Sequence, residues 1–150
     1  MKPSSQLVPL AKQHLHQVNK IEQQAHTHPW SESLISDINS RGAFHHVMLV
    51  DGELVGYFYA QDIVGEVTLL NIAVDPREQG KGYGKSLLEN LIELCSAKGA
   101  ESIWLEVRQS NHRAFELYSA LGFNEVDRRV DYYPTESGKE DAIIMSYFIF

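Results

Sequence analysis

The amino-acid sequence predicts an α/β domain, and three observations carry that prediction. The hydrophobic pattern switches repeatedly between strand alternation and the helical stripe, with no internal repeat, low-complexity tract or Pro/Gly/Ser linker to divide it. Val67 to Val74 form a nearly continuous apolar run, as expected of a strand buried on both faces at the centre of a sheet. A glycine-rich turn, Gln79-Gly80-Lys81-Gly82-Tyr83-Gly84, then leads into the strongest amphipathic segment of the chain.

Taken in order, Leu7-Val8-Pro9-Leu10 reads as a short first strand. A polar-rich helix follows from about Ala11 to Gln24, with Leu15, Val18, Ile21 and Ala25 at helical spacing. Pro29 ends that region, and Ser31 is placed to cap a short second helix carrying Leu34, Ile35 and Ile38. His46 to Val50 and Leu54 to Ile63 are β-rich and separated by Asp51-Gly52, the pair that a type I′ hairpin turn favours. Gly65 turns the chain into the apolar run. From Gly84 to Lys98 the residues Leu87, Leu88, Leu91, Ile92 and Cys95 share one helical face, and Gly99 is the stop. Cys95 on that face is expected to be a buried structural thiol. Ser102 to Val107 reads as a strand, and Asn111 caps a helix that Gly122 ends near Leu121. Val126 to Tyr133 and Ala142 to Phe150 close the chain as two strands around a polar turn at Thr135-Glu136-Ser137-Gly138.

A length of 150 residues with 43% hydrophobic content suits one domain over residues 1–150. The net charge of -7, from 13 Lys+Arg against 20 Asp+Glu, argues against a surface for nucleic-acid phosphates and is compatible with an amine-bearing partner. The amino terminus, Met1-Lys2-Pro3-Ser4-Ser5-Gln6, lacks the apolar stretch of a secretory signal or membrane span, so a soluble, cytoplasmic protein without membrane partners is expected. One cysteine cannot form an internal disulfide, in keeping with a reducing compartment. Two histidine pairs, His26/His28 and His45-His46, lack a Cys or carboxylate cluster at ligand spacing, and no metal is expected. Nothing in the sequence signals an oligomeric state.

The glycine-rich turn lies where unpaired backbone N–H groups and the positive end of a helix dipole converge. Such a turn can hold a pyrophosphate, because glycine accepts positive φ and lets phosphate oxygens approach the main chain. Lys81 and Lys85 add nearby positive charge. Taken alone, the same turn is equally a tight connection. Its spacing matches neither the P-loop nor the dinucleotide fingerprint. Gln79, Gly82 and Gly84 instead match Q/R-x-x-G-x-G/A, and Asn111 to Phe123 resembles N-x-x-A-x-x-L-Y-x-x-x-G-F. On these two motifs the chain resembles the GCN5-related N-acetyltransferase superfamily over essentially its whole length. Further segments, His26-Thr27-His28-Pro29-Trp30-Ser31, Asn71-Ile72-Ala73-Val74, Trp104-Leu105-Glu106-Val107-Arg108, Tyr132-Tyr133-Pro134 and Glu140 to Met145, are similar to the bacterial ribosomal-protein-alanine group within it.

The resemblance implies a mixed central sheet splayed at the cofactor site, with helices on both faces and acetyl-CoA as cosubstrate. Carried over by position, Ile72, Ala73 and Val74 would line the pantetheine arm by strand addition, Gly80, Lys81, Gly82, Tyr83, Gly84 and Lys85 would hold the pyrophosphate, and Asn111 would contact the cofactor. A helix cap explains Asn111 equally well. Glu106 is by resemblance the general base and Tyr118 the acid that protonates the departing thiolate. The plain alternatives are an outward-facing strand carboxylate and a core aromatic. The implied acceptor is the amino-terminal alanine of a small-subunit ribosomal protein. His26, His28, Trp30, Tyr132, Tyr133 and Pro134 would flank its cleft, and Glu32 and Asp37 would attract a basic peptide. The competing expectations are acetylation of a lysine or small amine, and a non-catalytic acetyl-CoA sensor.

Overall fold

The computed structural model describes residues 5–149, so the reading of Met1 to Ser4 and the last residue of the final strand, Phe150, lie outside the described residues. Seven strands form one sheet: β1 (Ser5–Pro9), β2 (His46–Val50), β3 (Glu53–Ile63), β4 (Glu66–Val74), β5 (Ser102–Arg108), β6 (Asn124–Thr135) and β7 (Gly138–Phe148). Among the described residues four α-helices accompany it: α1 (Leu15–Ala25), α2 (Glu32–Ser36), α3 (Tyr83–Ala97) and α4 (His112–Ala120). The order across the sheet is β1-β2-β3-β4-β5-β7-β6. Only β4 and β5 run parallel, because a crossover through α3 joins them, whereas tight turns join the neighbouring hairpins. Asp51 at φ +50° and Gly52 at +84° make the predicted type I′ turn between β2 and β3.

Alternation along β3 separates two cores. Phe58 and Ala60 face Leu87, Leu88, Leu91 and Cys95 of α3 together with Ile103, Leu105 and Val107 of β5. Tyr57 and Tyr59 face Val18 and Ile21 of α1 and Ile35 of α2. Helices therefore cover both faces, and burial pushes the Cys95 thiol up to about 11, as befits an inert core sulfur.

Two expectations need correction. β4 is central, yet it is not buried on both faces: Leu70 is 44% exposed, and Ile72 and Val74 are half-buried. The cause is that its pairing with β5 ends at Thr68–Trp104, while a register shift opposite Tyr59 and Ala60 leaves Leu70 as a bulge. The apolar run reflects a strand with one open flank. Leu34 is 53% exposed, because α2 is too short to turn more than Ile35 inward, and Ile38 lies beyond its end. Ser31 caps α2 as expected, its Oγ accepting from the Leu34 N–H at 3.2 Å.

The His45-His46 pair is structural. His45 Nδ1 accepts from the Ala60 N–H at 3.1 Å and its ring packs on Tyr59 with centroids 4.4 Å apart. Burial holds both imidazoles below their ordinary value, with the charge of His46 adding to the effect on His45. Unfolded histidines bind protons near pH ~6.5 whereas these bind them only at lower pH, so this stability is complete above ~6.5 and declines as pH falls. Thermal melts should show a lower Tm at pH 5.5 than at 7.5, with a smaller difference in His45→Asn. An equal pH dependence in the two proteins would contradict this.

Candidate active site

Because β4 and β5 stop pairing after Thr68 and Trp104, a cleft of about 580 Å³ opens between their carboxyl-terminal halves. Its walls are Leu69 to Ile72 of β4, Leu105 to Arg108 of β5, Asn111, Ala114 and Tyr118 around α4, and Glu22, His26, His28 and Trp30 from α1 and the following loop. Tyr133 of β6 completes it. The cleft faces a sheet edge whose backbone is unpaired, the arrangement that accepts an extended chain by strand addition.

The glycine turn lies just beyond the end of β4. Gly80 and Gly82 take φ of +83° and +84°, and a Cβ added at either would meet nothing within 4 Å. Both positions therefore need glycine for their backbone angle, and both leave the main chain open to a ligand. Gly82 caps α3 without a side-chain acceptor, leaving the first-turn N–H groups of Tyr83, Gly84 and Lys85 available to an anion. These features fit a pyrophosphate. Lys85 is exposed, whereas Lys81 Nζ is engaged by Glu78 Oε2 at 2.5 Å, which offsets its charge. Ile72 and Val74 pack towards the α3 core and Ala73 packs towards α1, and of these three residues Ile72 alone is among the cleft walls. Asn111 Oδ1 accepts from the Ala114 N–H at 3.3 Å, the cap reading, and the residue also lines the cleft.

Glu106 and Tyr118 are brought to the same cleft from β5 and α4. Along β5, Ile103, Leu105 and Val107 enter the core, so Trp104, Glu106 and Arg108 project to the other, open face. Glu106 is thus not enclosed by apolar neighbours: its side chain is 32% exposed, and its Oε1 lies 3.2 Å from Arg129 Nε. Tyr118 is buried at 7% exposure, with its ring 5.9 Å from that of Phe123. Burial, and then the charge of Tyr133, pushes its phenol up to about 12, so it carries its proton at neutral pH.

Of the residues expected to flank the acceptor, His26, His28, Trp30 and Tyr133 line the cleft. The Arg108 guanidinium lies 4.3 Å over the Tyr133 ring and donates to the Pro134 carbonyl at 3.1 Å, which holds this end of β6 against the site. Tyr132 meets Tyr133 edge-on and is half-exposed outside the cleft. Glu32 and Asp37 are not among the cleft walls.

Three contributors escaped the sequence reading. Glu22 is fully buried yet reaches the cleft, its carboxylate taking the Tyr57 O–H at 2.6 Å, Asn71 Nδ2 at 2.8 Å and the Trp30 N–H at 2.9 Å. Its signal was present, since it follows Ile21 on the apolar stripe of α1 where a carboxylate needs partners. Asn71 was likewise visible as the single amide interrupting the apolar run. Arg129, the partner of Glu106, had no local signal at all.

Residues 15–123 match the sequence model of the acetyltransferase (GNAT) family. The [ribosomal protein bS18]-alanine N-acetyltransferase of Escherichia coli (strain K12) is 44% identical over 126 residues, covering 84% of this chain and 85% of that protein. The enzyme of the same name from Haemophilus influenzae is 41% identical over 131 residues, covering 87% and 89%. Among solved structures, the ribosomal-protein-S18-alanine N-acetyltransferase from Escherichia coli superposes with a TM-score of 0.93 at 40% identity, over 97% of this chain and 94% of that one.

Proposed function

This chain belongs to the acetyltransferase (GNAT) family and is an N-acetyltransferase, and from that premise we propose that it moves the acetyl group of acetyl-CoA to the α-amine of an amino-terminal alanine on a small-subunit ribosomal protein. The observation that carries the reading is the 44% identity, over 84% of the chain, to enzymes named for that reaction. In this reading the chain acts as one catalytic domain in the cytoplasm, where ribosomal proteins are made.

Bound acetyl-CoA supplies an activated thioester. Gly80 to Lys85 would hold its pyrophosphate, and the main chain of Ile72 to Val74 would pair with its arm beside Asn111. Lys81 contributes little charge while it is bound to Glu78. Glu106, open to the cleft, serves as general base on the acceptor nitrogen. Tyr118 Oη holds the proton that the leaving sulfur requires. An α-amine titrates at ~7.7–8.0 against ~10.4 for lysine, so the first is partly neutral near physiological pH and demands less of the base, which is compatible with an amino-terminal acceptor.

Incubating the protein with acetyl-CoA and an alanine-initiated peptide of the ribosomal protein should add one acetyl group at the α-amine, read by fragment mass spectrometry. A peptide blocked there should gain none. Acetylation confined to lysine would replace this reading with that of a lysine or small-amine acetyltransferase.

A further inference from the structure

The hydrogen bonds around Glu22 decide which ring nitrogen of a second residue in the cleft bears a proton. Tyr57, Asn71 and the Trp30 main chain all donate to the Glu22 carboxyl oxygens, the first two to Oε1 and the last to Oε2. Tyr57 remains a donor because burial, and then its hydrogen bond to Glu22, pushes its phenol far above the ordinary range. With Asn71 Nδ2 held 2.8 Å from Glu22 Oε1, the opposite atom of the amide, Oδ1, is the one lying 2.9 Å from His26 Nε2. A flipped amide would set its oxygen against the carboxylate oxygen at the same distance, which is repulsive. An amide oxygen requires a donor, so His26 carries its proton on Nε2, with Glu22 Oε1 3.6 Å away. When the ring carries a single proton, its lone pair is therefore on Nδ1. That nitrogen has no hydrogen-bond partner among the described residues and is not one of the buried atoms lacking one. The His26 side chain is 32% exposed and lines the same cleft as Glu106.

We infer that Glu22 and Asn71 lock His26 as its Nε2–H tautomer, so that Nδ1 accepts a hydrogen bond from the acceptor amine. A primary amine that has given one proton to Glu106 keeps two N–H bonds. Holding one of them at His26 restricts the directions its lone pair can take, and the geometric restraint lowers the entropic part of the barrier. His26 therefore contacts substrate, while Glu22 and Asn71 are positioning residues acting through it. The inference rests on the amine-acetylation reading above.

Long-range 1H–15N spectra of the histidine-labelled protein report the tautomer without any substrate. They should show Nε2 protonated and Nδ1 bare in the wild type, and a tautomer mixture in Asn71→Ala. In steady-state kinetics with the alanine peptide, His26→Phe should raise the peptide KM about tenfold or more and leave the acetyl-CoA KM within about twofold. His26→Gln, which keeps a donor and an acceptor on one head group, should recover most of that loss. A wild-type Nδ1–H tautomer overturns the inference, as does an unchanged peptide KM in His26→Phe. Absence of wild-type turnover on the peptide overturns the functional reading, and this inference falls with it.

Discussion

Glu106→Gln should lower kcat/KM for the peptide by about 10²–10⁴-fold, the range over which a positioned general base acts. Glutamine keeps the size of the side chain and its place on β5 but cannot take a proton. The loss should appear mainly in kcat, with the acetyl-CoA KM within about twofold, because Glu106 is one of the cleft walls and none of Gly80 to Lys85 is. Unfolding is not a competing explanation. Among the described residues Glu106 has one ion pair to lose, that with Arg129, whose side chain is 53% exposed, and exposed pairs contribute about 0–1 kcal/mol. A Tm within a few degrees of the wild type together with a large kinetic loss would support the base role. Turnover within about threefold would show that the nitrogen loses its proton elsewhere.

Tyr118→Phe should lower kcat by about 10²-fold while leaving the fold intact, since it removes one oxygen from a buried ring that still packs on Phe123. The decisive comparison is between acetyl donors. With a thioester the departing sulfur needs the Tyr118 proton, whereas an acetyl ester whose leaving group is stable as an anion does not. The deficit of the variant should therefore shrink towards unity with such an ester. An equal deficit for both donors would make Tyr118 a packing residue. As the phenol is pushed up to about 12, no loss of activity from its ionisation is expected below about pH 11.

Much of the architecture follows from local signals. The Asp51-Gly52 turn, the Ser31 and Asn111 caps and the apolar stripe of α3 are each satisfied by residues within a few positions, so chain neighbours suffice to specify them. The glycine turn belongs with them, because its requirement for positive φ is a property of those residues alone. Strand pairing is different. β7 inserts between β5 and β6, and no pattern in β6 or β7 announces which of them meets β5. The same holds for the place where β4 and β5 separate: an apolar run reads alike whether its flank is covered by a strand or left open as a binding cleft.

The active-site chemistry divides in the same way. The sequence alone determined most of the elements, the glycine-rich turn and, through motif resemblance, Glu106 and Tyr118 as candidate groups. Only the tertiary structure decided that those two share one cleft, that Glu106 meets Arg129, and that Glu22 reaches across 49 positions to hold Asn71 and so orient His26. The physical reason is the range of the constraint. Backbone angles and helix caps are settled between neighbours along the chain, whereas a buried carboxylate is stable only once distant donors converge on it, and that convergence exists only in the folded sheet.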